Sequence, residues 1–513
     1  MPCAEGYLKL YMKLPWHSKN ILSGKYDFVA VGIVFLYCLA FAVSRLLISS
    51  TMELDEAEQF LNGSDFQWGY NSQGPLYSWI VKGVSLFFGL NIVTLLAIKY
   101  CLLFLFYCSF YSVARFLWDS RKALITTGSL MLFPLYLYEF NRDLSHTILM
   151  TLIASITCLF SLKILSKTTT MRYILLGVFI GMGTLSKYNF LLFAMAVILA
   201  GLSMREGRRI IFDKRIGLSL LSCMIIVLPH FIWLLTDDFS SVRYALEKAQ
   251  AGGLETPSLS KMFFTIVSPY SGLSVFLIIF LLFFYHLLST ETLKENPQLR
   301  FFKWVAVYGL LMPIIIILAL RAGHFSGRWL APIFLTLPIV GFSMIDLNVK
   351  DNRIKYFTFL CAFLAIAGLI TRIFIGFMPD STGKAERIHI PFKVISLQLQ
   401  DMLKKNEIFD VRDIAIISDD IHLAANIMAL LPGTKFISLE KAIEDKAVNR
   451  GICYQGGIIL SNTSKSGRVK ADTIMKAFSS SIPFYLKNQY LHSQKLPPYI
   501  LWVAIVPRQP VVR

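Results

Sequence analysis

Charge is scarce in this sequence, and acid is scarcer than base. Asp, Glu, Lys and Arg make up 16% of its 513 residues, against roughly 25% in a soluble domain. With 55% of residues hydrophobic, that deficit excludes an ordinary soluble fold and predicts a polytopic α-helical membrane protein. Paired cysteine chemistry is missing too. Six of the eight cysteines (Cys38, Cys101, Cys108, Cys158, Cys223 and Cys361) stand in apolar runs, and no CxxC or Cys/His ligand spacing occurs. This argues against a disulfide framework, a zinc site or a redox pair. No cleavable signal peptide is expected, because the first apolar run starts near Asp27 and is ~22 residues long, enough to span a bilayer and stay as an anchor. Long internal repeats and low-complexity segments are absent as well.

A further gap organises the rest. No Lys or Arg occurs from Thr51 to Pro75, yet Glu53, Asp55, Glu56 and Glu58 fall within six residues directly after the first apolar run. Acidic side chains at the mouth of a membrane helix are costly unless they have a task.

The net charge of +18 is first a topology signal, since Lys and Arg collect in cytoplasmic loops. Eleven spans are expected, at about 27–49, 92–117, 123–140, 144–164, 173–187, 189–204, 216–235, 262–288, 304–320, 329–346 and 356–377. The N-terminal segment with Lys9, Lys13, Lys19 and Lys25 then stays cytoplasmic. Alternate loops hold Arg115/Arg121/Lys122, Lys163/Lys167/Arg172, Arg205/Arg208/Arg209/Lys214/Arg215, Lys294/Arg300/Lys303 and Lys350/Arg353/Lys355. The first loop, 50–91, is placed outside. Within it the short apolar stretch 75–90 reads as an interfacial helix with Tyr77 and Trp79 at headgroup depth. Residues 1–378 form the membrane domain. From 379 to 513 the composition shifts to a small α/β domain, expected in the periplasm, with strands at 414–418, 457–461 and 499–506 and helices at 391–406, 420–430 and 467–480.

In this topology Asp55, Glu56, Gln73, Asp143, Lys187, His324 and Arg328 all stand at outer ends of spans. The chemistry that suits such a face is sugar transfer from a polyprenyl-phosphate sugar to a lipid or glycan acceptor. A carboxylate takes the proton of the attacking hydroxyl, and cations hold the departing phosphate. Asp55 is the expected base, with Glu56 and Asp143 beside it. Lys187 and Arg328, with His324, are the expected phosphate ligands, and Gln73 and Tyr77 the substrate contacts. One in-line displacement predicts inversion at the anomeric carbon. Ordinary readings stand beside these: loop acids in solvent, Asp143 paired with Arg142, Lys187 snorkelling at a helix end, Arg328 anchoring to headgroups, and a structural His324. A transporter of lipid-linked sugars is the alternative function. It predicts charges or broken helices near the midplane and repeated halves.

The acidic pair Asp55-Glu56 followed by Gln73-Gly74-Pro75-Leu76-Tyr77-Ser78-Trp79 resembles the first outer loop of the GT-C glycosyltransferases. The likeness is to bacterial members similar to protein O-mannosyltransferases and to the aminoarabinose and galacturonic acid transferases of lipopolysaccharide. Asn141-Arg142-Asp143, Gly183-Thr184-Leu185-Ser186-Lys187-Tyr188 and Gly327-Arg328-Trp329-Leu330-Ala331-Pro332 extend it over about residues 27–345. The resemblance implies an inverting, metal-independent enzyme without a cofactor. Its catalytic aspartate maps to Asp55 and its second acid to Asp143. It also implies a bacterial inner-membrane monomer whose partners are the lipid-phosphate donor, the envelope acceptor and membrane lipids, not nucleic acid. Two departures stand out. Glu58 occupies a position that is basic in aminoarabinose transferases, and Gln73-Gly74-Pro75 replaces a Lys before Pro-Pro-Leu. The Asp-Glu-Ala-Glu-Gln form is nearer the galacturonic acid transferases.

Overall fold

The computed structural model describes residues 25–70, 73–237, 239, 258–288, 296–345, 352–405, 414–462, 477–478 and 481–507. The N-terminal lysines 9, 13 and 19, most of loop 236–261, Lys294, Lys350 and most of the helix expected at 467–480 lie outside these. The helices used below are α1 (Lys25–Ile48), α2 (Leu54–Ser64), α3 (Leu76–Phe88), α4 (Ile92–Leu117), α5 (Ser145–Ser166), α6 (Thr170–Ser186), α7 (Ile216–Thr236), α8 (Asn352–Phe377) and α9 (Ile421–Leu430).

The chain is a helical polytopic membrane protein with a mixed α/β region at its C-terminal end. Among the described residues, seven helices are long and apolar enough to cross a bilayer: α1, α4, α5, α7, Leu259–Leu287, Pro297–Leu320 and α8. Two bent pairs raise the number to nine, Ser120–Leu132 with Leu135–Arg142 at 86° and Phe190–Ser203 with Arg205–Ile211 at 115°. The remaining two of the eleven expected spans are shorter pieces. α6 has 17 residues, and 329–346 is broken into Gly327–Leu330, Ala331–Phe334 and Thr336–Ser343. The stretch read as interfacial is α3, whose 13 residues cover about 20 Å at 1.5 Å each, too little for a bilayer core of about 30 Å.

The described residues divide into two compact units. The first lies within Met1–Leu39, Leu102–Leu137 and Thr147–Ala365, the second within Ala40–Cys101, Tyr138–His146 and Ile366–Arg513. In the first, α6 and α7 pack backbone to backbone. Gly177 and Gly181 form a Gly-x-x-x-Gly face; a Cβ at Gly177 would come within 2.0 Å of the Ser219 carbonyl oxygen. Such small-residue seams let membrane helices approach closely, and Ser219 and Ser222 donate across this one to the carbonyls of Tyr173 and Ile174, at 2.7 and 3.0 Å. At one end of α1, buried Asp27 accepts from Tyr111 at 2.5 Å and pairs with Arg115 at 3.0 Å.

The second unit holds a five-stranded sheet in the order β2-β1-β3-β5-β4, with β1 Ala415–Ser418, β2 Lys435–Ser438, β3 Gly457–Asn462, β4 Ile482–Asn488 and β5 Tyr499–Val506. β2 and β3 run parallel to β1, and β5 is antiparallel to β3 and β4. Side chains alternate between two cores. Ile416, Ile458 and Leu460 pack with Ile395, Leu399 and Ile427 on one face; Ala415, Ile417 and Ile459 pack with Leu439 and Ala442 on the other. Burial on both faces explains the unbroken apolar runs of β1, β3 and β5. β2 and β4 were not expected from the sequence. They are the sheet edges, short or alternating, and Pro483 is tolerated in β4 because an edge strand has one unpaired side.

Candidate active site

The acidic loop folds around cations that arrive from the spans. Arg45, in the last turn of α1, donates to the carbonyls of Ser49 at 2.8 Å and Thr51 at 2.5 Å, and to Glu56 Oε2 at 2.7 Å. Arg45 is 1% exposed and Glu56 2%. The same Glu56 oxygen accepts the backbone N–H of Glu53, the N-cap of α2, at 2.8 Å, one half of a capping box. Glu53 accepts from Arg372 of α8 at 3.1 Å, and that guanidinium also pairs with Glu386 at 2.5 Å. Acidic side chains in the first turn of α2 suit the positive end of the helix dipole.

Asp55 follows in α2, half-buried, and its backbone N–H donates to Asp143 Oδ1 at 3.2 Å. Among the described residues the Asp55 carboxylate makes no hydrogen bond or ion pair. Asp143 stands in the break before α5. The next residue, Leu144, has φ 68°, a left-handed conformation that is costly for a branched side chain, and it turns the chain between Arg142 and Ser145. Arg142 pairs with Glu139 at 3.1 Å rather than with Asp143. Lys99, fully buried in α4, sits 3.5 Å from the Asn141 carbonyl and is attracted by both Glu56 and Asp143.

These surroundings separate the carboxyls. Burial, then the charges of Asp55 and Glu53, push Asp143 well above the usual carboxylate range, against the pull of Lys99. Burial likewise raises Glu53, with Arg372 opposing. For Glu56 burial also acts upward, but Arg45, Lys99 and the Glu53 N–H outweigh it and hold the group below its ordinary value. The surroundings thus push two neighbouring carboxyls in opposite directions, Glu56 down and Asp143 up.

A second polar layer supports α2. Gln59 donates to His146 Nε2 at 2.7 Å and accepts from Ser78 of α3 at 2.8 Å. Tyr77 is 1% exposed and its ring lies 5.2 Å from that of His146. α3 turns the Tyr77 face inward, where the phenol meets protein. Trp79 is half-buried and stacks on exposed Phe66, ring centroids 5.9 Å apart. Gln73 reaches Glu58 at 3.4 Å, and its buried Oε1 has no hydrogen-bond partner among the described residues.

The expected phosphate ligands belong to the first unit. Lys187 ends α6 and donates to Thr147 at 3.0 Å. Two residues on, Asn189 donates to the Trp329 carbonyl at 3.1 Å, which sets the 186–189 turn against Gly327–Leu330. Lys187 and Arg328 therefore occupy adjoining turns. Arg328 is half-buried, and its enclosed Nε has no hydrogen-bond partner among the described residues. His324 is exposed, and its ring lies edge-on to Trp329 with centroids 6.2 Å apart. Beside Lys187, Tyr188 and buried His230 lie 3.0 Å apart.

Three residues central to the acidic cluster, Arg45, Lys99 and Arg372, went unread in the sequence. Each is a buried cation on a helix long and apolar enough to span the membrane, the kind of residue that is costly there unless it is paired.

Comparison with known proteins agrees with this architecture. Residues 72–233 match the family described as dolichyl-phosphate-mannose-protein mannosyltransferase. The lipopolysaccharide core galacturonosyltransferase RgtB of Rhizobium johnstonii is 28% identical over 406 residues, covering 77% of this chain and 80% of the relative. RgtA of the same organism is 29% identical over 304 residues, covering 58% and 60%. The crystal structure of ArnT from Cupriavidus metallidurans in the apo state aligns over 94% of this chain and 100% of that one, with a TM-score of 0.59 at 11% identity. The same protein bound to undecaprenyl phosphate gives 0.57 at 12% identity, over 94% and 99%. The chain is a membrane glycosyltransferase that shares the fold of ArnT, carries a segment matching the protein mannosyltransferase family and is similar to the lipopolysaccharide core galacturonosyltransferases.

Proposed function

We propose that this enzyme moves a sugar, a uronic acid of the galacturonic type, from a polyprenyl-phosphate carrier to the core of lipopolysaccharide at the periplasmic face of the bacterial inner membrane. The names of the two relatives support the sugar and acceptor, and the ArnT complex with undecaprenyl phosphate supports the carrier. Asp55 takes the proton of the acceptor hydroxyl as its oxygen bonds to the anomeric carbon. The bond from that carbon to the phosphate oxygen breaks, and the carrier phosphate departs with the electron pair. Lys187 and Arg328 bind the phosphate as its charge grows. Attack opposite the leaving group inverts the anomeric centre. Glu56 positions α2 through Arg45, and Asp143 holds the backbone of Asp55.

The observation that carries this reading is the Asp55 carboxylate itself, the one acid of the first turn of α2 that neither Arg45 nor Arg372 engages. The test is Asp55→Asn in native-like membranes, supplied with labelled polyprenyl-phosphate uronic acid and lipopolysaccharide core. Loss of transfer with normal expression is expected; undiminished transfer removes Asp55 from the chemistry. In this reading the N-terminus is cytoplasmic and residues 379–513 are periplasmic, so a compartment-sensitive reporter fused after Pro379 reports from the periplasm.

A further inference from the structure

The α/β domain grips the chain just ahead of the acidic helix. His422 and Asn426 stand one turn apart on α9, on the same face. His422 Nε2–H donates to the Met52 carbonyl at 2.8 Å, and Asn426 Oδ1 accepts the Met52 N–H at 2.8 Å. Both backbone groups of one residue are therefore satisfied by side chains of a helix some 370 residues further along the chain. The grip is itself fixed. Asn426 Nδ2 donates to the His422 carbonyl at 2.9 Å, which sets the amide orientation, and Asp420 caps α9 by accepting from the His422 N–H at 2.9 Å. His422 and Asn426 are 2% and 3% exposed. Next to Met52, Thr51 donates to the Ile390 carbonyl at 3.0 Å.

Met52 lies immediately before Glu53, the N-cap of α2, and three residues before Asp55. A buried peptide group must find partners, and here they come from outside the membrane-spanning part of the sequence. We infer that His422 and Asn426 are positioning residues of the glycosyl transfer: the C-terminal domain fixes the entry angle of α2 and so the place of the Asp55 carboxylate. This rests on the reading of Asp55 as the base. It gives the domain a role in turnover rather than in capturing the acceptor.

The experiment compares kcat and KM in the full-length, membrane-reconstituted enzyme. His422→Leu and Asn426→Leu remove the donor and the acceptor. Loss of geometry by about 1 Å costs up to ~100-fold, so kcat is expected to fall roughly 10- to 100-fold, with KM for donor and acceptor within about 3-fold of wild type. His422→Gln and Asn426→Asp keep a donor and an acceptor in reach and are expected to recover most of kcat. Wild-type kcat in folded leucine variants overturns the inference, as does a rise in acceptor KM at unchanged kcat. If a leucine variant fails to fold, Asn426→Gln keeps the amide but moves the anchor by one methylene; kcat must again fall at constant KM, and an unchanged kcat overturns the idea. Asp55→Asn is run alongside. An active Asp55→Asn enzyme sinks the base reading and this inference with it. An inactive one beside fully active His422→Leu and Asn426→Leu variants sinks this inference alone.

Discussion

Arg45→Met is the sharpest perturbation of the acidic cluster. Methionine keeps much of the arginine stem but removes three bonds, to Ser49, Thr51 and Glu56, at 2.8, 2.5 and 2.7 Å. The buried Glu56 is left facing Lys99 without its direct partner. Removing one member of a buried ion pair costs about 3–5 kcal/mol, more than the ~1 kcal/mol of an exposed bridge. The penalty depends on pH, and its sign follows from Glu56. In the wild type this carboxyl is held below its ordinary value, so it contributes stability above the unfolded-state value and loses it as pH falls through the folded one. Without Arg45 burial dominates, and the folded value rises above the unfolded one. The variant's deficit then widens as pH rises through the ordinary carboxylate range and narrows in acid. Arg45→Met/Glu56→Gln removes the stranded charge, so the double variant is expected to melt above Arg45→Met alone. The assay is the thermal midpoint in detergent at a fixed scan rate, at about pH 5 and about pH 8 on either side of a raised carboxyl. Equal midpoints for wild type and Arg45→Met, or a double variant as unstable as the sum of the singles, refute the reasoning.

Three further outcomes are expected. Asp143→Asn removes a carboxyl whose folded-state value is raised; such a group costs stability as pH climbs past its unfolded value, so the variant melts above wild type at neutral pH, the gap closes in acid, and transfer declines. Gly177→Val drives a Cβ to within 2.0 Å of the Ser219 carbonyl, so monodisperse protein is expected to be lost on size-exclusion chromatography after detergent extraction. Lys187→Met and Arg328→Met each lower transfer by about 100-fold, the scale of one lost charge-stabilising contact; Arg328→Lys recovers little, because a point charge does not replace a planar fork.

The membrane class, the acidic helix after α1 and the α/β region were legible because each rests on a local pattern: long apolar runs, a burst of Glu and Asp, and a return to strand-like runs after 379. The broken pieces at 329–346 and the 17-residue α6 were harder, since hydropathy measures apolarity and not helix continuity. The inward turn of Tyr77 was not legible, because an interfacial and a packed aromatic share one composition, and only the contact with His146 separates them. The grip of His422 and Asn426 on Met52 was invisible for another reason. It joins side chains to a backbone residue, and the sequence carries no trace of which peptide group a distant side chain will hold.

The missing basic residues between 51 and 75 gain their meaning here. A loop that contained its own lysines could neutralise its acids locally and fold in isolation. This one draws its cations from α1, α4 and α8, as Arg45, Lys99 and Arg372. Glu53, Asp55, Glu56, Asp143 and Glu386 are five carboxyls around those three cations, a surplus of two. The two pushed upward are Glu53 and Asp143, in both cases chiefly by burial. Asp55 is left as the acid with a carboxylate unengaged by any of the three cations. The arrangement couples the placement of Asp55 to the packing of three separate helices, so the cluster forms only as this unit folds. A helix start fixed in that way sets where the Asp55 side chain begins before a substrate arrives, which is what the proposed base acting on a single hydroxyl requires.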